Sequence, residues 1–157
     1  MLNIENNIIL NKIKIPEATK PIADYSPYIL SNNLIFISGQ VPISSGKILF
    51  LGKLGKELDV DAGKEAAKQC MLNTFGILNL ALKNKLNLIK KCVKITVYIN
   101  STDNFTCQPE VADGASKLIK QILFPEGNHS RSAVGVNSLP RDSAVEIDSI
   151  FEINIEK

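Results

Sequence analysis

A single histidine, no tryptophan and three cysteines stand among 157 residues, and each scarcity removes a class of chemistry. One histidine cannot supply the cluster of imidazoles that most zinc or iron sites use. Cys70, Cys92 and Cys107 form no Cys-x-x-Cys pair, so neither a metal knot nor a disulfide framework is expected. An odd cysteine count without a framework fits a reducing compartment, and the cytoplasm is the expected location. Charge is nearly balanced, 18 Lys and Arg against 16 Asp and Glu, which is too little to hold nucleic acid by electrostatics alone. The densest basic stretch, KNKLNLIKK (83–91), reads as a helix end and turn with a solvated face. No run approaches the ~20 apolar residues that span a bilayer. The N-terminus has no basic segment followed by a long apolar core and small-residue cleavage site, so no signal peptide is expected. Ser-His-Asp, phosphate-loop and dinucleotide patterns are missing too, and no cofactor is expected.

What remains is the patterning of one soluble domain over 1–157. Ile4, Ile8 and Ile9 predict a short N-terminal helix within 4–13, and Pro16 and Pro21 an extended connector, so that 1–20 precede the main body. YILSNNLIFISGQVPI reads as a hairpin turning at Ser31-Asn32-Asn33, and GKILFLGKLG (46–55) as a further strand ending in a glycine loop. From Asp59 the spacing of Ala67, Cys70, Met71, Phe75, Leu78 and Leu82 predicts a long amphipathic helix, N-capped by Asp59 or Asp61. That spacing makes Cys70 a core residue. VKITVYIN (93–100) alternates as a half-buried strand, and Val111, Ala115, Leu118 and Ile122 mark a second helix ending near Phe124-Pro125 and Gly127. Two strands close the chain, SRSAVGVNS and AVEIDSIFEINIEK. The order implies an α+β fold, one sheet backed on one face by two helices. The other face is semi-polar, with Thr96, Tyr98, Arg131 and Glu146 expected on it.

Arg131 is the residue that asks for an explanation, a guanidinium in a strand of Ser, Ala, Val and Gly. If the Leu139-Pro140 turn makes the last two strands a hairpin, Arg131 and Glu146 share the non-core face. They then form either a cross-strand ion pair, worth ~0.5 kcal/mol if exposed, or a site. The planar fork suits a carboxylate, and a nearby glutamate can orient or deprotonate water. Ser38-Gly39, at a strand end, lets backbone donors approach a ligand. His129, beside this strand, reads as a surface residue.

ISGQVP, VKITVYI before a helix, and the run RSAVGVNSLPRDSAVEIDSIFEI together resemble the RidA family, also called YjgF or the L-PSP endoribonuclease/translation-inhibitor family. The resemblance covers roughly 22–155, and is strongest to the longer, chorismate-mutase-like subgroup with an extra N-terminal helix. It implies a chorismate-mutase-like mixed sheet in a homotrimeric barrel, with a ligand cleft at each subunit interface and no metal or cofactor. It further implies hydrolysis of reactive enamine and imine carboxylates, such as 2-aminoacrylate and 2-iminobutanoate, to 2-oxo acids and ammonia. By the same resemblance Arg131 clamps the carboxylate, Glu146 places the water, and Tyr25, Ser38 and Gly39 line the site. Asp113 falls, with a one-residue gap, where the family has an asparagine, and Ala133 where it has a cysteine. These departures leave open a carboxylate-binding trimer without turnover. The older ribonuclease label lacks a basic track to support it.

Overall fold

The structure is a computed structural model that describes residues 3–18 and 24–154. Pro21 of the expected connector, and Ile155 and Glu156 of the last expected strand, lie outside the described residues. Three helices and two sheets are built: α1 (Ile4–Leu10), α2 (Val60–Ala81), α3 (Gln108–Ile122), and strands β1 (Tyr28–Ser31), β2 (Leu34–Gln40), β3 (Ile43–Ser44), β4 (Lys47–Ile48), β5 (Ile89–Asn100), β6 (Ser130–Val136) and β7 (Val145–Ile153). The main sheet has the order β1-β2-β7-β5-β6, and β3 and β4 form a separate two-stranded ribbon. Only β5 and β6 run parallel, with α3 connecting them; the remaining pairs of the main sheet are antiparallel, so the sheet is mixed.

Local chemistry sets the helix starts. Asp59 caps α2, its side chain accepting from the Ala62 amide at 2.8 Å, which satisfies one of the first-turn donors that no helix can satisfy itself. Asn3 caps α1 in the same way. Asn7 then donates from Nδ2 to the carbonyls of Ile122 and Phe124, both at 3.0 Å, tying α1 to the end of α3. The expected apolar stripe of α2, from Ala67 through Leu82, is buried throughout. Cys70 lies fully inside it, burial pushing its thiol well up, and Cys92 is pushed up to about 12 by the same cause. Both are packing residues rather than nucleophiles.

Helices α2 and α3 cover one face of the main sheet. Ile95, Val97 and Ile99 of β5, and Val145, Ile147 and Phe151 of β7, point into that layer and are buried, and strand alternation sends their neighbours to the open face. Phe75 of α2 meets Phe151 edge-on, ring centroids 5.8 Å apart. Gly63 and Gly114 let α2 and α3 approach closely: a Cβ at Gly114 would lie 2.0 Å from the Lys64 carbonyl oxygen. Among the described residues no helix is long and apolar enough to cross a membrane.

Three expectations are corrected. Residues 46–55 are not one strand; only Lys47 and Ile48 form one, and the rest turns through Gly52 and Gly55, both at positive φ. The 83–91 stretch is not all helix end and turn, because β5 already starts at Ile89. The third correction governs the site: β6 and β7 are not a hairpin, since β5 lies between them. The Leu139-Pro140 segment is a crossover over the end of β5, with Arg141 and Asp142 at positive φ.

Candidate active site

With β5 between them, the faces of Arg131 and Glu146 follow from register. Arg131 pairs with Ile95, and Ala133 with Val97, so both share the helix-covered face with those buried residues. Glu146 pairs with Tyr98, which also pairs with Val134, and this row belongs to the open face. The two residues therefore stand on opposite faces of the sheet, and the expected common face and cross-strand ion pair are both corrected. Parity within each strand was legible; which parity met the core depended on the intervening strand.

On the helix face, Arg131 Nη1 donates to Asp113 Oδ1 at 2.8 Å and to Ser116 Oγ at 3.1 Å, both on α3. Asp113 does not turn away from the guanidinium; it holds it. Among the described residues the recorded contacts of Arg131 all run through Nη1, leaving Nη2 and Nε to offer a fork to an anion. Asp113, Ser116, Lys120, Asn128, His129 and Arg131 line a cavity of about 420 Å³. Ala133 packs at the edge of the core two residues along. Next on that row, a Cβ at Gly135 would lie 2.7 Å from Ser101 Oγ.

Glu146 belongs to a different group. Its carboxylate occupies the space over Gly39, where an added Cβ would fall 2.0 Å from Oε1. The β2–β7 register shifts between Ile37 and Gln40, a bulge that carries Ser38 and Gly39. Ser38 Oγ donates to the Ser26 carbonyl at 2.7 Å and its amide to the Pro27 carbonyl at 3.0 Å. Those bonds tie down the segment carrying Tyr25, which is 46% exposed. Gln40 in turn donates to the carbonyls of Ser38 and Gly39. Tyr98 Oη donates to Asp148 Oδ2 at 3.0 Å beside Glu146. Half-burial, and then the Asp148 charge, raise the Glu146 carboxyl above its ordinary range. A carboxyl in that state holds and releases a proton closer to neutrality, as an acid–base group needs.

The expected residues thus fall into two groups: Arg131, Asp113 and Ala133 on the helix-covered face, and Tyr25, Ser38, Gly39 and Glu146 around the β2 bulge. One protomer does not bring them together. Sequence reading set Tyr98 on the open face, where it lies, but missed Ser116, Lys120 and Asp148 and took His129 for a surface residue. Ser116 and Lys120 follow Asp113 at three and seven residues, one helix face, and His129 shares strand parity with Arg131, so the signals were present. His129 is half-buried, not at the surface, and is held low mainly by burial, with the Arg131 and Lys120 charges adding to this and the Gly127 carbonyl opposing. Among the described residues no group of His, Cys, Asp or Glu side chains is arranged to hold a metal ion.

Comparison with known proteins places this geometry. The pattern of the family described as Endoribonuclease L-PSP matches residues 15–153. Protein TCP17 of Trypanosoma cruzi is 40% identical over 143 residues, covering 90% of this chain and 89% of its own. A 2-iminobutanoate/2-iminopropanoate deaminase of Dermatophagoides farinae is 28% identical over 141 residues, covering 90% and 94%. The crystal structure of protein Atu1372 from Agrobacterium tumefaciens superposes with a TM-score of 0.89 at 38% identity, over 96% of this chain and 92% of that one. The α+β fold, the matched residues 15–153 and the similarity to these relatives together show that the chain belongs to the endoribonuclease L-PSP family, the RidA/YjgF family that its C-terminal motif resembles.

Proposed function

We propose that the protein hydrolyses small enamine and imine carboxylates of the 2-aminoacrylate and 2-iminobutanoate type to 2-oxo acids and ammonia. The observation that carries this reading is a pair of groups: an arginine fork opening on a cavity of about 420 Å³, and a proton-holding glutamate seated over a glycine bulge. The deaminase relative supports it at 28% identity.

The two groups meet if three copies close into a ring, Arg131 of one protomer facing Glu146 of the next. A homotrimer would also cover the open face, where Ile29 and Phe36 are 57% and 40% exposed. In the shared cleft Arg131 binds the substrate carboxylate. Glu146 accepts a proton as water adds to the imine carbon, giving a tetrahedral carbinolamine. It returns that proton to the nitrogen, then takes the hydroxyl proton and passes it to the same nitrogen as the C–N bond breaks, so that ammonia leaves and the C=O of the 2-oxo acid forms. An enamine first takes a proton at carbon to become the imine. No redox change or cofactor enters this balance, and such intermediates already hydrolyse in water, so positioning suffices. Free cysteines at 70, 92 and 107 suit a reducing, cytoplasmic setting.

A second reading has its own observation. Asp113 already offsets part of the charge of Arg131, which favours a trimer that binds small carboxylates and has lost turnover. Ribonuclease action finds no such support, since Glu146 and Asp148 together on the open face would repel phosphate.

The test generates 2-iminobutanoate with a threonine dehydratase and follows 2-oxobutanoate release. The intact protein accelerates release and Arg131→Ala does not. No acceleration by the intact protein overturns the deaminase reading. Carboxylate binding that persists and needs Arg131 then supports the second one.

A further inference from the structure

The cavity beside Arg131 contains a chain of polar groups that imine hydrolysis leaves unused. His129 Nδ1 lies 3.0 Å from the Gly127 carbonyl oxygen, which only accepts, so Nδ1 carries the proton of the neutral ring. Nε2 lies 2.9 Å from Ser116 Oγ. Arg131 Nη1, which only donates, reaches the same Oγ at 3.1 Å. One assignment satisfies every atom: Arg131 donates to Ser116, and the Ser116 hydroxyl donates to neutral His129. Ser116 is buried at 8% exposure, so this order is sheltered from water.

We propose that His129 acts through Ser116 as a positioning residue for Arg131, and that capture of a small carboxylate at Arg131 is coupled to proton uptake by His129. The inference rests on the reading of Arg131 as a carboxylate clamp. The charges facing His129 are Arg131 on β6 and Lys120 on α3, with Asp113 on the same Nη1 that reaches Ser116 and the Gly127 carbonyl against Nδ1. Burial first, and then the two cations, disfavour the imidazolium. A bound carboxylate offsets the charge of Arg131 and removes part of that opposition. Once protonated, Nε2 donates to Ser116 Oγ, and the serine hydroxyl proton is freed to turn toward the anion. Half-exposed Asp113 offsets only part of the charge beforehand, so the incoming carboxylate still has an effect. Linkage is reciprocal: if the ligand raises the affinity of His129 for a proton, the proton raises the affinity for the ligand by the same factor.

His129 is the only histidine in the chain, so its ring resonances identify themselves in an NMR titration. The probe is 2-oxobutanoate, which is unreactive here. Saturating ligand is expected to raise the His129 midpoint by about half a unit, which corresponds to binding up to about three-fold tighter below both midpoints than at pH 8. Calorimetry in buffers of different ionisation enthalpy should show fractional proton uptake over the same range. His129→Gln, whose amide can accept from Ser116 but takes no proton, should lose the gain at low pH and the proton uptake. Ser116→Ala should weaken binding at every pH. A His129 midpoint unmoved by ligand, with binding that still requires Arg131, overturns this inference and leaves the clamp standing. No binding by the intact protein at any pH overturns the clamp itself. The NMR arm uses the unaltered protein and does not depend on any variant folding.

Discussion

Asp113 Oδ1 holds Arg131 Nη1 at 2.8 Å across the boundary between α3 and β6, the arginine side chain 24% and the aspartate 47% exposed. The aspartate orients the fork and, in the same position, repels the carboxylate that the fork would bind. Asp113→Asn keeps an oxygen that accepts from Nη1 and removes the charge. Its affinity for 2-oxobutanoate is expected to rise about five-fold at pH 7, the scale of one partly screened charge contact. Calorimetric titration of both proteins checks this; weaker binding by the asparagine variant would mean that orientation outweighs repulsion.

Gly39 and Glu146 share one space. Gly39→Ala would put a methyl group 2.0 Å from Oε1, and the longer, half-exposed side chain must move. The expected outcome is a fold preserved by circular dichroism with kcat lowered about 10–100-fold, the size of a misplaced acid–base group. Affinity for 2-oxobutanoate, which depends on Arg131, should stay nearly constant.

The pH dependence of Glu146 has a definite sign. Half-burial, and then Asp148, raise its carboxyl in the folded state, so the native protein holds this proton more tightly than the unfolded chain. The stabilisation is present below the ordinary glutamate range and is lost as pH rises through the raised value. Glu146→Gln should therefore raise Tm at pH 8, leave it almost unchanged at pH 4, and abolish turnover. In the intact protein kcat should fall as pH drops through a midpoint above the ordinary 4.5. Paired melting curves and a pH–rate profile provide the readings.

Asp59 tests the frame rather than the site. Asp59→Ala removes the acceptor for the Ala62 amide, with an expected loss of about 1 kcal/mol, or ~2–4 °C in Tm for a chain of this size. Activity at 25 °C should be unaffected, since no site residue touches the cap.

Periodic segments were the most legible part of the sequence. The stripe from Ala67 to Leu82, the cap at Asp59 and the turn after Ser31 each depend on neighbours within a few residues, and local pattern suffices for them. The 46–55 stretch misled because its apolar run, 48–51, forms no continuous ladder: Leu51 and Leu54 make isolated bridges to Ser143 and Ser101 instead. The hairpin of β6 and β7 misled for a deeper reason. Parity assigns a residue to one of two faces, but strand order decides which face is covered, and β5 enters between the two strands from the far side of α3 in the chain. Arg131 could thus be recognised as unusual while its partner was misidentified. Asp113 and Ser116 come from a helix, and the pairing with Arg131 exists only after the parallel crossover is made.

The central claim is that the arginine and the glutamate act from different copies of the chain. Co-expression of Arg131→Ala and Glu146→Ala chains carrying different tags, followed by tandem purification of mixed assemblies, measures it directly. Each parent alone is inactive on 2-iminobutanoate. In a ring of three, either mixed composition leaves an intact Arg131 facing an intact Glu146 in one cleft of the three, and about a third of the intact rate should return. Mixed assemblies as inactive as either parent would contradict the account.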